Sequence, residues 1–283
     1  MTTIRDLIPA YERHMRVERD LSDKTRAAYL YDLGRFEAFA GPVALESVTP
    51  ESIAEFLDSL PGPSTRARSL ASVAGLFKFA VRSGLIPSSP ADHVSRPAVR
   101  MKLPKFLPVQ DVATILEAIP LDYPTGLRDF AIISTLAFAG LRLSEVAGLN
   151  LRDARPDVGT LRVRGKGNKE RIVPMHPAVG AALAAWLAAR PKVDTDALFV
   201  SRFNARIANR TVENVCKVRG AAAGFPDLHP CMLRHTFATI LHGNGVDLLQ
   251  IQALLGHASV SSTAIYTHTD ASRLAASVAT IRP

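Results

Sequence analysis

HPCMLRHTFATILHGNGVDLLQIQALLGHASVSSTAIY runs from His229 to Tyr266 and reads as short apolar helices with polar residues at their ends. Pro230 suits the first turn of a helix, and Leu233, Phe237, Ile240 and Leu241 recur at helical spacing. That helix stops at Gly243-Asn244-Gly245. A second apolar run, Val246 to Leu255, closes at Gly256, a residue that takes the left-handed conformation at little cost, so His257 opens the next loop. Ser259, Ser261 or Ser262 is placed to cap a third short helix carrying Tyr266. Arg234, His257 and Tyr266 therefore fall at element boundaries, where polar side chains converge without being buried unpaired. Such a set suits a phosphate group.

The whole chain sets bounds on this reading. Its 283 residues suffice for one large domain or two smaller ones, and 47% are hydrophobic, enough for a substantial core. No apolar run approaches the ~20 residues that cross a bilayer. The N-terminus, MTTIRDLIPAYERHMRVERD, alternates charged with apolar residues and lacks a signal-peptide core, so a cytoplasmic protein is expected. Two cysteines, Cys216 and Cys231, fit a reducing compartment and form no Cys-x-x-Cys pair. The formal charge is +8 and is unevenly spread: residues 1–100 hold 13 Lys+Arg against 12 Asp+Glu, and the remainder 21 against 14. A basic excess of this kind attracts polyanions such as DNA, and equally serves ordinary solubility.

In chain order, the first stretch predicts four helices: Ile4 to Arg19, Ser22 to Ala40, Thr49 to Ser59 and Ser64 to Ser83. Ser22 is placed as a cap, with Tyr29, Leu33, Phe36 and Phe39 forming one apolar face. Thr49-Pro50-Glu51 is a cap, a first-turn proline and a favourably placed acid. Lys24, Arg26, Arg66 and Arg68 are candidates for phosphate contacts, or equally solvated cations. Residues 87–108 are Pro-rich and basic and read as an extended linker. From 109 onward a second domain begins, with helices from Asp111 to Ile119 and, strongly apolar, from Leu127 to Ala139. Arg142 follows that run in Gly140-Leu141-Arg142-Leu143-Ser144-Glu145, and an arginine there needs an acid, Glu145, or a phosphate. Leu161 to Arg164 and Arg171 to Pro174 alternate as strands around Gly165-Lys166-Gly167-Asn168, leaving Lys166 on a hairpin tip. Pro177 to Arg190 is an Ala-rich helix whose Trp186 belongs to the core. Leu198 to Ser201 reads as a short strand and Asn209 to Ala223 as a helix. Five of the eight histidines lie between His229 and His268, but no pair has zinc-finger spacing, so no metal is expected. A stripe of Leu274, Val278 and Ile281 predicts a tail helix.

LRHTFAT, LLGH and a tyrosine nine residues after that histidine together resemble the C-terminal signature of the tyrosine recombinases, the phage-integrase and Xer group. GLRLSE at Gly140 to Glu145 resembles the box of the family's first arginine, and RGKGNKERIVP at Arg164 to Pro174 its lysine hairpin. Four boxes in order leave little room for coincidence. The resemblance implies a mainly α fold with a small β-sheet. An N-terminal helical, SAM-like core-binding bundle (1–86) and a basic linker (87–108) would precede an α+β catalytic domain with a tail helix (109–283). It further implies a site-specific recombinase that cuts and rejoins DNA through a 3′-phosphotyrosine on Tyr266 and a Holliday junction. Arg142, Arg234 and His257 would hold the phosphate, and Lys166 would protonate the departing oxygen. Glu145, His229 and His235 would support them, and Lys169 would touch the DNA backbone. Neither ATP nor metal is needed. The implied partners are a double-stranded recombination site, four protomers on two duplexes, identical or shared with a second recombinase, and a DNA translocase.

One position departs from the pattern. The family usually reads His-x-x-Arg at its second arginine, and Cys231 stands where that histidine would be; a thiol does not offer imidazole's donor and acceptor pair. His229, two residues earlier, is a candidate substitute or a solvated loop residue. Two competing readings follow: a weakened or inactive DNA-binding member of the same fold, and a topoisomerase-like enzyme acting as a monomer.

Overall fold

The computed structural model describes residues 1–98, 105–165 and 170–256. The chain divides into two compact units, Met1–Lys102 and Leu103–Pro283.

The first unit is a bundle of four helices: α1 (Ile4–Val17), α2 (Asp23–Ala40), α3 (Pro50–Asp58) and α4 (Pro63–Arg82). Local chemistry sets their starts. Thr3 and Asp6 form a reciprocal capping box on α1, Ser22 caps α2, and Thr49 with Ser52 does the same for α3 ahead of Pro50. Tyr11, Leu33, Phe36, Phe56 and Phe77 fill the core, and Gly75 leaves the space that the Tyr11 hydroxyl occupies. The predicted face of α2 is present at Leu33 and Phe36, whereas Phe39 is exposed. Asp32 takes part of that buried face, because Arg68 on α4 reaches in with two bonds of 2.8 and 2.9 Å and Ser72 adds a third. The unit also extends beyond Ile86: a short 3-10 helix, Pro90–His93, sets Ala91 into the same core, and Val94 packs against it.

The second unit surrounds a strongly apolar α6 (Pro124–Phe138), which follows α5 (Val109–Glu117). Around it stand α7 (Leu143–Gly148), α8 (Pro177–Ala189), α9 (Asn209–Ala222) and α10 (Pro230–Gly243), and α11 (Leu248–Leu255) packs on α10 through Ile251 and Leu255 against Ala238. A three-stranded antiparallel sheet, ordered β1 (Ala154–Arg155), β2 (Thr160–Arg164), β3 (Glu170–Pro174), lies against this core. Leu161 pairs with Val173 and Val163 with Arg171, so these four side chains share the inner face. Trp186 is buried, as expected, and its Nε1 donates to the Leu198 carbonyl at 2.9 Å. Among the described residues Leu198 to Ser201 is not a regular strand: isolated bridges, Asn150 to Ala197 and Val200 to Arg206, pair this stretch. The Leu149 carbonyl accepts from the Leu198 N–H at 2.9 Å, and the Arg206 side chain adds bonds to it and to the Ala147 carbonyl. The second unit starts before Val109, since Leu107 packs on its core and donates its N–H to Thr236 Oγ1. Among the described residues no helix is long and apolar enough to cross a membrane.

Candidate active site

Gly140 ends α6 and turns the chain into α7 with φ +61°, in the left-handed region. A side chain there would overlap the ring of Phe237 on α10, so glycine is required both for the turn and for the close approach of the two helices. The next residues bring Arg142 and Glu145 onto the same spot. Glu145 is buried, and its carboxylate accepts from the Arg142 backbone N–H at 2.8 Å and from Arg142 Nη1 at 2.9 Å. Arg171, from β3, binds both oxygens, Nη1 to Oε1 at 2.8 Å and Nη2 to Oε2 at 2.9 Å. Arg234, from α10, brings Nη1 to 3.8 Å from Oε2. One carboxylate therefore gathers three guanidiniums from three distant parts of the chain.

The same three arginines cap the end of α11. Arg171 Nε donates to the Leu254 carbonyl at 3.0 Å, Arg234 Nη2 to that of Leu255 at 2.7 Å, and Arg142 Nη2 to that of Gly256 at 2.9 Å. Cations at the last carbonyls complement the negative end of the helix dipole. Gly256 closes α11 in the left-handed conformation, φ +64°, and a Cβ there would lie 3.0 Å from Arg171 Nη1. The point where the chain leaves α11 toward His257 is thereby fixed on three sides.

Burial pushes Glu145 toward the neutral form, but the bonds from Arg171 and Arg142 outweigh it and hold the carboxyl below its ordinary range. The pair of arginines differ in access. The side chain of Arg142 is 39% exposed, that of Arg234 only 9%, with its Nη1 also donating to the Gly140 carbonyl at 2.6 Å. A guanidinium has five N–H donors in a planar fork, so Arg142 can hold Glu145 and Gly256 and still offer donors to an anion.

At the start of α10, His229 is the N-cap: its Nδ1 accepts from the Met232 N–H at 3.2 Å. Cys231 is exposed in the first turn of the helix. His235 is half-buried, and burial, then the charges of Arg234 and His229, lower its basicity. Cys216, by contrast, is a core residue whose thiol burial pushes up to about 12. Lys166, Lys169, His257, Tyr266, the third short helix and the tail helix lie outside the described residues.

In the first unit, Lys24 is exposed. Arg26 is bound to Asp23 and the Leu21 carbonyl, Arg66 to the Leu60 and Asp58 carbonyls, and Arg68 to Asp32. Arg171 escaped the sequence reading. The available signal was its spacing: it shares the inner face of β3 with Val173, and a cation on a buried strand face demands a carboxylate.

Comparison with known proteins finds matches along nearly the whole chain. Residues 105–273 match the Phage integrase family, and residues 8–84 match the Phage integrase, N-terminal SAM-like domain. The chain is 38% identical over 287 residues to tyrosine recombinase XerC of Thermodesulfovibrio yellowstonii, covering 97% of this chain and 95% of that one. It is 35% identical over 297 residues to tyrosine recombinase XerC 1 of Ralstonia nicotianae, covering 95% and 90%. The fold is similar to that of the XerH site-specific recombinase bound to palindromic difH substrate in a post-cleavage complex. That match has a TM-score of 0.78 and 24% identity, covering 99% of this chain and 85% of that one. With both of its units matched and its relatives aligned over nearly their whole length, the chain belongs to the phage integrase family, as a site-specific tyrosine recombinase of the Xer type.

Proposed function

We propose that this recombinase cuts one DNA strand by attack of Tyr266 on the scissile phosphate. The Tyr266 Oη–P bond forms as the phenol loses its proton, the P–O5′ bond breaks, and the electron pair goes to O5′, to which Lys166 gives a proton. Arg142 and Arg234 stabilise the charge that gathers on the phosphoryl oxygens, and His257 adds a hydrogen bond. Attack by a 5′ hydroxyl of a partner duplex reverses these steps and seals a Holliday junction. The phosphotyrosine conserves the bond energy, so ATP is not consumed. The observation that carries this reading is the convergence of Arg142 and Arg234, from separate sequence boxes, on Glu145 and on the two carbonyls that precede His257.

The working assembly in this reading is four protomers on two duplexes, either identical or shared with a second recombinase. It acts in the cytoplasm at the nucleoid, with a DNA translocase as a further partner. Relatives named XerC and a related fold bound to its difH substrate support DNA as the partner. Lys24 in the first unit and Lys169 on the hairpin are the cations we assign to the DNA backbone; Arg26, Arg66 and Arg68 reach it only through whatever donors their protein partners leave.

Covalent trapping tests the core of the proposal. The protein is incubated with nicked fragments of its host's DNA and denatured in detergent, and the attached DNA is sequenced. Adducts at a defined sequence, absent from Tyr266→Phe, are the expected result. Adducts that persist in Tyr266→Phe would remove that residue as nucleophile, and specific binding without any adduct would remove catalysis.

A further inference from the structure

We propose that Arg171 is a positioning residue for strand cleavage: it ties the base of the β2–β3 hairpin to the end of α11 and so sets where the hairpin lysine meets the departing oxygen. The inference rests on the reading of Lys166 as proton donor. Arg171 spends all three edges of its guanidinium on this tie, with Nη1 and Nη2 on the two oxygens of Glu145 and Nε on the Leu254 carbonyl. Its side chain is 15% exposed and its backbone is held in register opposite Val163. Glu145 in turn is bound by Arg142 and approached by Arg234. A single planar group thus joins the strand that leaves the hairpin tip, the carboxylate that orients the phosphate-binding arginines, and the helix end that leads to His257.

Stability alone gives little reason for this choice. A buried ion pair is often matched or bettered by apolar residues of similar volume, and the rest of the inner face, Leu161, Val163 and Val173, is apolar. What the fork supplies is direction: three donors fixed in one planar group, each with its own acceptor, constrain the placement of β3. An ammonium on a flexible stem cannot span them. Loss of Arg171 leaves the strand ladder and its buried residues in place, so the sheet persists while its alignment to α11 loosens.

The test uses the full chain on the nicked host fragment identified by trapping, prepared in two forms. One has the ordinary bridging oxygen. In the other, sulfur replaces O5′, so that attack by Tyr266 breaks a P–S bond and the electron pair departs on a thiolate. Thiols ionise near pH 8.5, so that leaving group needs no proton donor. Arg171→Lys and Arg171→Gln should cleave the oxygen substrate about a hundred-fold more slowly than the parent at saturating DNA. Their DNA affinity should change by less than about three-fold, which also shows that they fold. On the sulfur substrate both should recover to within about ten-fold of the parent. Cleavage of the oxygen substrate at the parental rate, or equal slowing on both substrates, overturns the proposal. Lys166→Ala is measured beside them. Sulfur that rescues Lys166→Ala but not the Arg171 variants defeats only the positioning role, whereas sulfur that fails to rescue Lys166→Ala defeats the proton-donor reading and the inference with it.

Discussion

Glu145 carries a cost that its neighbours repay, and the balance depends on pH. Its carboxyl lies below the ordinary value of 4.5 in the folded protein, because the bonds from Arg171 and Arg142 outweigh burial. A depressed carboxyl stabilises the fold fully above its unfolded value, and that contribution is lost as pH falls through the lower folded one. Calorimetry from about pH 7 down to about pH 3 should therefore show the second unit losing stability below about pH 4.5. Glu145→Gln should be less stable by about 3 kcal/mol at neutral pH and should lack that part of the acid dependence. Cys231 is the other residue with a sharp expectation. It is exposed in the first turn of α10, so a histidine fits there without disturbing the core. Cys231→His should raise single-turnover cleavage by about ten-fold or more, if the imidazole reaches the phosphate as the proposed mechanism requires. An unchanged or lower rate would show that the thiol limits nothing.

Helices are the part of this molecule that its sequence announces most plainly. Caps at Thr3, Ser22 and Thr49 and prolines at Pro50, Pro177 and Pro230 mark starts within a residue or two, because each satisfies a local group without help from elsewhere. The two-residue β1 and the bridges around Ala197 and Val200 leave no such mark, since their pairing depends on partners distant in sequence. The candidate site divides in the same way. Arg142, Glu145 and Arg234 are legible from their boxes, whereas the place of Arg171 on the inner face of β3 signals a need for a carboxylate without saying that Glu145 and the end of α11 meet it. Asp32 is a further case: its helix face looked apolar, and only α4 supplies the arginine that lets a carboxylate sit there. Arg68→Ala would strand that buried carboxylate, and urea unfolding should report a loss of about 3 kcal/mol in the first unit. Lys24→Ala, exposed and in the same bundle, should weaken DNA binding without lowering stability. A reversed pattern, with Arg68 affecting affinity and not unfolding, would place Arg68 at the DNA instead.

At the scale of the whole chain, among the described residues the core of the first unit is separate from the main core and the smaller α10–α11 cluster of the second, so the two units are separately perturbable. Phe36→Ala should cost the first unit about 3–5 kcal/mol. A scanning calorimeter should register this as an earlier transition for that unit while the transition of the second stays where it is. A shift of both together would mean that the units unfold as one. Charge is divided as unequally as the cores are, with most of the surplus after residue 100, on the unit that holds Glu145 and its arginines. There, among the described residues, the Glu145 carboxylate and the last carbonyls of α11 share the three guanidiniums of Arg142, Arg171 and Arg234. In the proposed mechanism the scissile phosphate adds an anion to this basic cluster. A ligand that binds only the folded state stabilises it, so DNA whose phosphate is held here, as proposed, should raise the unfolding temperature of the second unit.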